Sequence, residues 1–243
     1  MNRGTCWQEE GGQAPRFALP ILSLAAHELK SPLALIRQLA QSLDGNYSAQ
    51  EVEQIASRIR LTSERALRLA TDLTRSERLQ DTLFELEPID PISICEDVVH
   101  EMMPLFRARD RSLKVNSRKR LPAAVANREL LRRVLINFAD NALQYGGADN
   151  PVSFSTQSSR DGRRIRIAVR DYGPELPTDI WRSIQNAKQR PQPVSMRPES
   201  SGLGLYLASQ FAESMNASLG VTRHRDGASF YIDLMGSTQL SLL

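Results

Sequence analysis

The sequence predicts an α+β chain: a helical hairpin that pairs with a second copy as a dimeric four-helix bundle, followed by an α/β sandwich. Three observations predict it. Apolar residues recur at spacings of three and four through two long stretches near the start. From residue 84 onward, short strand-like runs alternate with helical ones. And each of the two first helices carries a single apolar stripe, which a lone hairpin has too little partner to bury.

Residues 1–16 hold Gly4, Gly11, Gly12 and Pro15 without periodicity, and 1–18 read as a disordered leader. Leu22, Ala25, Ala26, Leu29, Leu33, Ile36, Leu39, Ala40 and Leu43 mark the first helix. The turn residues of "DGNYS" (44–48) end it, and Ser48 can cap the next helix, which runs through Val52, Ile55, Ile59, Ala66, Leu69 and Leu73 to about Leu79. Helices of roughly 24–32 residues reach about 36–48 Å. Residues 19–80 therefore form one domain, and a homodimer is the physical expectation.

The second domain spans 84–235, with a tail over 236–243. "LFELEPID" reads as a short strand leading to Pro91, a natural first-turn residue for the helix "ISICEDVVHEMMPLF". "SLKVNS" is a strand, and "NRELLRRVLINFADNALQYGG" (127–147) a helix stopped by two glycines. "VSFSTQ" and "RIRIAVRD" are strands around the turn "SSRDGR". A Pro-rich polar loop covers 185–201. The helix "GLYLASQFAESMN" follows, and "GVTRHRDGASFYIDLM" closes as a hairpin around Asp226-Gly227.

Composition narrows the function classes. Net charge is only +3, and the densest basic stretch, "RARDRSLKVNSRKR" (107–120), lacks interleaved aromatics. It reads as a solvated or partner-facing surface, and no nucleic-acid partner is expected. Cys6 and Cys95 have no CxxC partner, so neither a metal site nor a disulfide framework is indicated and a cytoplasmic location fits. No run of about 18 apolar residues occurs, so no membrane contact by this chain is expected.

Four short stretches carry chemistry. In "AAHELKSP", His27 falls beside the apolar stripe, where an exposed imidazole can act as a nucleophile if a base takes the proton from one ring nitrogen. Glu28 is adjacent. Pro32 cannot donate to the carbonyl of Glu28, which loosens the backbone at this point. A lone helical histidine is more often just a surface residue. In "INFADNALQY", Asn137 and Asn141 share one helix face, and their amide oxygens suit Mg²⁺, which also takes oxygens from substrate phosphates. Paired hydrogen-bonding amides are the plainer reading. In "IAVRDYGPELP", Asp171 stands at a strand end before Gly173, where a carboxylate can accept from an exocyclic amine such as that of adenine. In "SSGLGLYLASQ", Gly202 and Gly204 open a helix whose free N–H groups attract phosphate. None of the four is specific alone.

In this order, the four resemble the motifs of bacterial two-component sensor histidine kinases: "HELKSPL" the H-box, "NFADNALQY" the N-box, "DYGPELP" the G1 box and "SGLGL" the G2 box. The resemblance spans roughly 19–235. It implies a dimerisation and histidine-phosphotransfer domain over 19–80 and an ATP-binding catalytic domain, of the kind shared with gyrase and Hsp90, over 84–235. By that likeness His27 attacks the γ-phosphate of ATP and passes the group to an aspartate on a response-regulator receiver domain, with Glu28 as general base. Ser31 stands where relatives often carry Thr or Asn to orient water for dephosphorylating the regulator. Asn141 and Asn137 are the implied Mg²⁺ ligands, Asp171 and Gly173 the adenine contacts, and Gly202 and Gly204 the phosphate-facing glycines. A sensor part outside this sequence, membrane-anchored or not, is also implied.

The pattern departs from the family at three places. Gln144 replaces the usual Lys or Arg three residues after the second Asn, Glu175 stands where a second G1 glycine is expected, and Ser200 replaces the first glycine of the G2 run. Lys188, Arg190 or Arg197 could restore positive charge. Slower autophosphorylation than in a standard relative is expected. The alternative from another class is a non-catalytic dimeric scaffold whose degraded nucleotide pocket serves to hold a regulator or another kinase. An ATPase of the gyrase or Hsp90 kind is disfavoured, because those use a catalytic Glu where this chain has Asn137.

Overall fold

The computed structural model describes residues 18–43, 45, 47–78, 84–116, 121–147, 150–187 and 202–237. The leader up to residue 17, the tail beyond 237, and Lys188, Arg190, Arg197 and Ser200 lie outside the described residues.

Helices α1 (Ala18–Ser42) and α2 (Ala49–Arg78) form the hairpin. The cap at Ser48 is reciprocal: its Oγ accepts from the Glu51 N–H at 3.3 Å, while Glu51 Oε2 accepts from the Ser48 N–H and hydroxyl, each at 2.8 Å. Those donors hold the Glu51 carboxyl below its ordinary range. Pro32 sits inside α1 without ending it. Ala25, Leu39 and Ala66 are buried, but Leu33 and Leu67 remain 58% and 67% exposed. One chain thus leaves part of the hairpin's apolar surface uncovered.

The second part is a seven-stranded sheet with helices packed on it. Its strands are β1 (Glu87–Ile89), β2 (Leu113–Val115), β3 (Ala124–Ala126), β4 (Val152–Ser158), β5 (Arg164–Arg170), β6 (Ser218–His224) and β7 (Gly227–Gly236). The order is β1-β3-β7-β5-β4-β2, with β6 also on β7. Every pairing is antiparallel except β2 with β4. Since β5 runs along one edge of β7, β6 and β3 share the other: β6 takes Gly227 to Asp233 and β3 takes Met235 and Gly236.

Helices α3 (Pro91–Arg107), α4 (Arg128–Tyr145), α5 (Thr178–Ala187) and α6 (Leu203–Ser214) complete the domain. Pro91 opens α3 as expected, with Asp90 accepting from the Ile92 N–H at 2.8 Å. Asn127 caps α4 by accepting from the Leu130 N–H at 3.1 Å. Strand alternation separates the two faces. Ile165, Ile167 and Val169 of β5 and Phe230, Ile232 and Leu234 of β7 are buried against the helices. Phe138 of α4 meets Phe230 with ring centroids 5.9 Å apart. The opposite face is polar, with Arg166 binding Asp233 through two hydrogen bonds of 2.6 and 2.7 Å and stacking 3.7 Å from the Tyr231 ring.

Leu24, Leu69 and Leu73 of the hairpin pack against the same core that buries Ala25, so hairpin and sandwich touch directly. Two elements escaped the sequence reading. β3 is three residues of Ala, Val and Ala, and α5 lies in the stretch assigned no structure. β7 also runs one residue into the expected tail.

Candidate active site

A cleft of about 610 Å³ opens where the hairpin meets the sandwich, within the ~300–1,000 Å³ range of small-molecule sites. Seven of the nine residues singled out from sequence line it: His27, Glu28 and Ser31 from α1, Asn137 and Asn141 from α4, and Gly202 and Gly204 at the start of α6. His27 and Ser31 are exposed and Glu28 is half-buried. Pro32 lines the same cleft as His27.

The four-residue spacing places both asparagines on the cleft side of α4. Asn137 Nδ2 donates to the Arg133 carbonyl at 3.1 Å, which turns Oδ1 towards α6, where a Cβ on Gly204 would come within 2.9 Å of it. Asn141 Nδ2 is buried with no hydrogen-bond partner among the described residues, an unmet donor on the cleft wall. Gly202 caps α6 with φ 71°, a left-handed conformation that suits glycine. The end of α4 is fixed by Arg111, whose Nη1 donates to the carbonyls of Ala142 at 3.1 Å and Leu143 at 2.8 Å, and whose Nη2 donates to that of Gly147. The basic stretch after α3 is therefore not merely a solvated surface. Arg111 is half-buried as a helix clamp and Arg109 lines the cleft.

Asp171 and Gly173 do not line this cleft. Asp171 follows β5 and is only 7% exposed, with Oδ1 accepting from the N–H groups of Gly173 and Ala228, each at 3.2 Å. Burial pushes its carboxyl up from the ordinary range, against those two hydrogen bonds and the charges of Arg170 and Arg111. It borders a second cavity of about 30 Å³, shared with Asn141 and walled by Pro174, Leu176, Pro177 and Phe230. That holds a water or so, not a purine. Gly173 has a purpose besides any ligand: a Cβ there would stand 2.4 Å from the Tyr145 carbonyl, so glycine lets the turn dock on the end of α4. Glu175, where a glycine was expected, pairs with Arg223 at 2.7 Å.

Several residues of the cleft were missed from sequence. Arg58, Arg65 and Asp72 recur every seventh position on α2 and all line it, a periodicity that could have been read had a second surface been suspected. Asp72 is buried, 3.3 Å from Arg133 of α4, and burial lifts its carboxyl to about 6 despite Arg133 and Arg75. Arg75 and Arg133 both reach Glu129 at 3.0 Å, so the hairpin and α4 share one ion network. Among the described residues no three His, Cys, Asp or Glu side chains cluster as a metal site. Any divalent ion here would rest on amide oxygens and a ligand's phosphates, which is acceptable for Mg²⁺.

The known proteins agree with this architecture. Residues 126–237 match the family described as Histidine kinase-, DNA gyrase B-, and HSP90-like ATPase. The chain is similar to the adaptive-response sensory kinase SasA of Parasynechococcus marenigrum, 29% identical over 197 residues, covering 79% of this chain and 50% of that protein. The chain spans 50 to 61% of the length of three curated relatives that it matches. Its fold is similar to that of full-length ShkA in complex with AMPPNP, with TM-score 0.60 and 20% identity over 92% of this chain and 47% of that one. It is also similar to histidine kinase ThkA in complex with response regulator protein TrrA, with TM-score 0.62 and 14% identity over 90% of this chain and 61% of that one. No helix among the described residues is long and apolar enough to cross a membrane. Over residues 126–237 the chain is thus similar to the ATPase domain shared by histidine kinases, DNA gyrase B and HSP90, and over most of its length it is similar to two-component sensor histidine kinases.

Proposed function

We propose that this chain is the kinase core of a cytoplasmic phosphorelay, transferring phosphate from ATP to His27 and then to an aspartate on a response-regulator receiver domain. The single observation that carries this reading is that His27 and Asn141 face one cleft while Asn141 also borders the cavity of Asp171. A nucleotide whose base meets Asp171 and whose phosphates pass Asn141 would point its terminal phosphate at the hairpin.

In this reading, a ring nitrogen of His27 attacks the γ-phosphorus, the bond to the β–γ bridging oxygen breaks, and ADP leaves. Glu28 takes the proton from the other ring nitrogen, so the imidazole does not carry a full positive charge while it bonds to phosphorus. Asn141 and Asn137 would hold Mg²⁺ together with phosphate oxygens, and the ion would draw charge away from the transferring group. Gly202 and Gly204 let the start of α6 approach the phosphates. Ser31, one turn from His27, orients the water that dephosphorylates the regulator. The exposed apolar residues of α1 and α2 are covered by a second copy, giving the homodimeric bundle. The solved complex of ThkA with response regulator protein TrrA supports a response regulator as the partner.

The narrowness of the Asp171 cavity favours a second reading, a dimeric scaffold that occupies a regulator without chemistry. Incubation with γ-labelled ATP and a receiver domain separates the two. Label that appears first on this chain, is absent from His27→Gln, and then moves to the receiver supports the kinase. Label on neither protein supports the scaffold.

A further inference from the structure

The cleft holds a cation where the sequence pattern had removed one. Gln144 of α4 is neutral at the position where relatives carry Lys or Arg, yet its amide oxygen accepts from the Arg65 guanidinium of α2 in the orientation that satisfies both ends of the amide, Nε2 then donating to Tyr145 Oη at 3.2 Å. Arg65 also stands 3.8 Å from Asp140, its side chain 41% exposed. Arg109 is close enough that partial dehydration, and after it the Arg65 charge, lower its proton affinity. One turn along α2, Arg68 has Nε and Nη2 buried without a hydrogen-bond partner among the described residues, and it lines the same cleft. Arg65, Arg68 and Arg109 share this side of the cleft with two carboxylates, Asp140 beside Arg65 and Asp72 within reach of the Arg68 charge, and the unmet Arg68 donors suit an anion with several oxygens.

We propose that Arg65, held by Gln144, is the cation that binds the terminal phosphate of the nucleotide, so that the hairpin and not α4 supplies this charge. The proposal rests on the kinase reading and deepens it. Its consequence is coupling: the same helix that carries the guanidinium packs beside α1 and His27, so a triphosphate is held tightly only when hairpin and sandwich are docked. A diphosphate, ending short of Arg65, is indifferent to it.

The test measures affinity for a non-hydrolysable ATP analogue and for ADP by displacement of a fluorescent nucleotide, in wild type, Arg65→Gln, Arg65→Lys and the double variant Arg65→Gln with Gln144→Lys. Arg65→Gln is expected to weaken the analogue about tenfold and ADP less than about twofold, as loss of one charge-assisted contact implies. Arg65→Lys and the double variant are expected to restore most of the difference, because the charge returns from α2 in one and from α4 in the other. Circular dichroism is expected to be unchanged throughout. Equal effects on both nucleotides, or no effect on either, overturn the proposal while leaving the kinase reading intact if His27 still labels in wild type. A wild type that binds neither nucleotide overturns both.

Discussion

Nη1 of Arg133 on α4 lies 3.3 Å from Oδ1 of Asp72 on α2, both side chains being largely buried. This contact ties the sandwich to the hairpin, and its surroundings decide how it behaves with pH. Burial raises the Asp72 carboxyl from 3.8 to about 6, the attraction of Arg133 and Arg75 only partly offsetting it and Glu129 adding repulsion. The folded state therefore holds the Asp72 proton more tightly than the unfolded one. Stability from this group is fully present below about pH 4 and is lost as pH rises through about 6. Melting temperatures of wild type and Asp72→Asn between pH 4 and 8 check it. The difference between them is expected to shift in favour of Asp72→Asn as pH rises, by an amount on the order of 1–3 kcal/mol. A pH-independent difference contradicts the assignment.

Asp171 offers a second expectation. An asparagine can keep Oδ1 on the N–H groups of Gly173 and Ala228, so Asp171→Asn preserves the turn while removing the charge. Binding of ATP is expected to fall about tenfold or more, the cost of one charge-assisted hydrogen bond, and the preference for ATP over GTP to shrink, because an amide can also donate to a 6-oxo group. Competition binding with the two nucleotides reads this directly. Unchanged preference sinks the role assigned to Asp171.

Gly173 is expected to be structural as well as adjacent to the base. An added methyl would stand 2.4 Å from the Tyr145 carbonyl, so Gly173→Ala must displace the turn or the end of α4. The expected loss is about 1–3 kcal/mol in chemical denaturation. Wild-type stability in that variant refutes the close approach.

The hairpin predicts its own assembly. Leu67 is 67% exposed and Leu33 58%, apolar area that a second copy would cover. Leu67→Glu is expected to shift the chain from dimer towards monomer in sedimentation experiments, with helix content little changed. A wild type that is monomeric at high concentration removes the bundle from the account.

Periodicity made the long helices and the alternating strands legible, because each buries one face and the face shows in the spacing. The four motifs were legible for a related reason: each needs particular residue types at a fixed spacing. β3 was hidden, since Ala124 and Ala126 are fully buried by position and carry little strand preference of their own. Arg65 was hidden more deeply. Gln144 read as a lost charge because the chain brings the replacement from about eighty residues upstream, and only tertiary packing joins the two. The ion network of Asp72, Arg75, Glu129 and Arg133 escaped on the same ground. Nor does spacing report the width of a cavity, so the narrow space beside Asp171 had no signature.

The most direct measurement is site localisation of the phosphoryl group. After incubation with ATP and Mg²⁺, the protein is digested and mapped by mass spectrometry under alkaline conditions that preserve phosphoramidates. A single acid-labile modification is expected on the peptide carrying His27, absent from His27→Gln. A phosphoryl group on any other residue, or none on a protein shown to bind ATP, contradicts it.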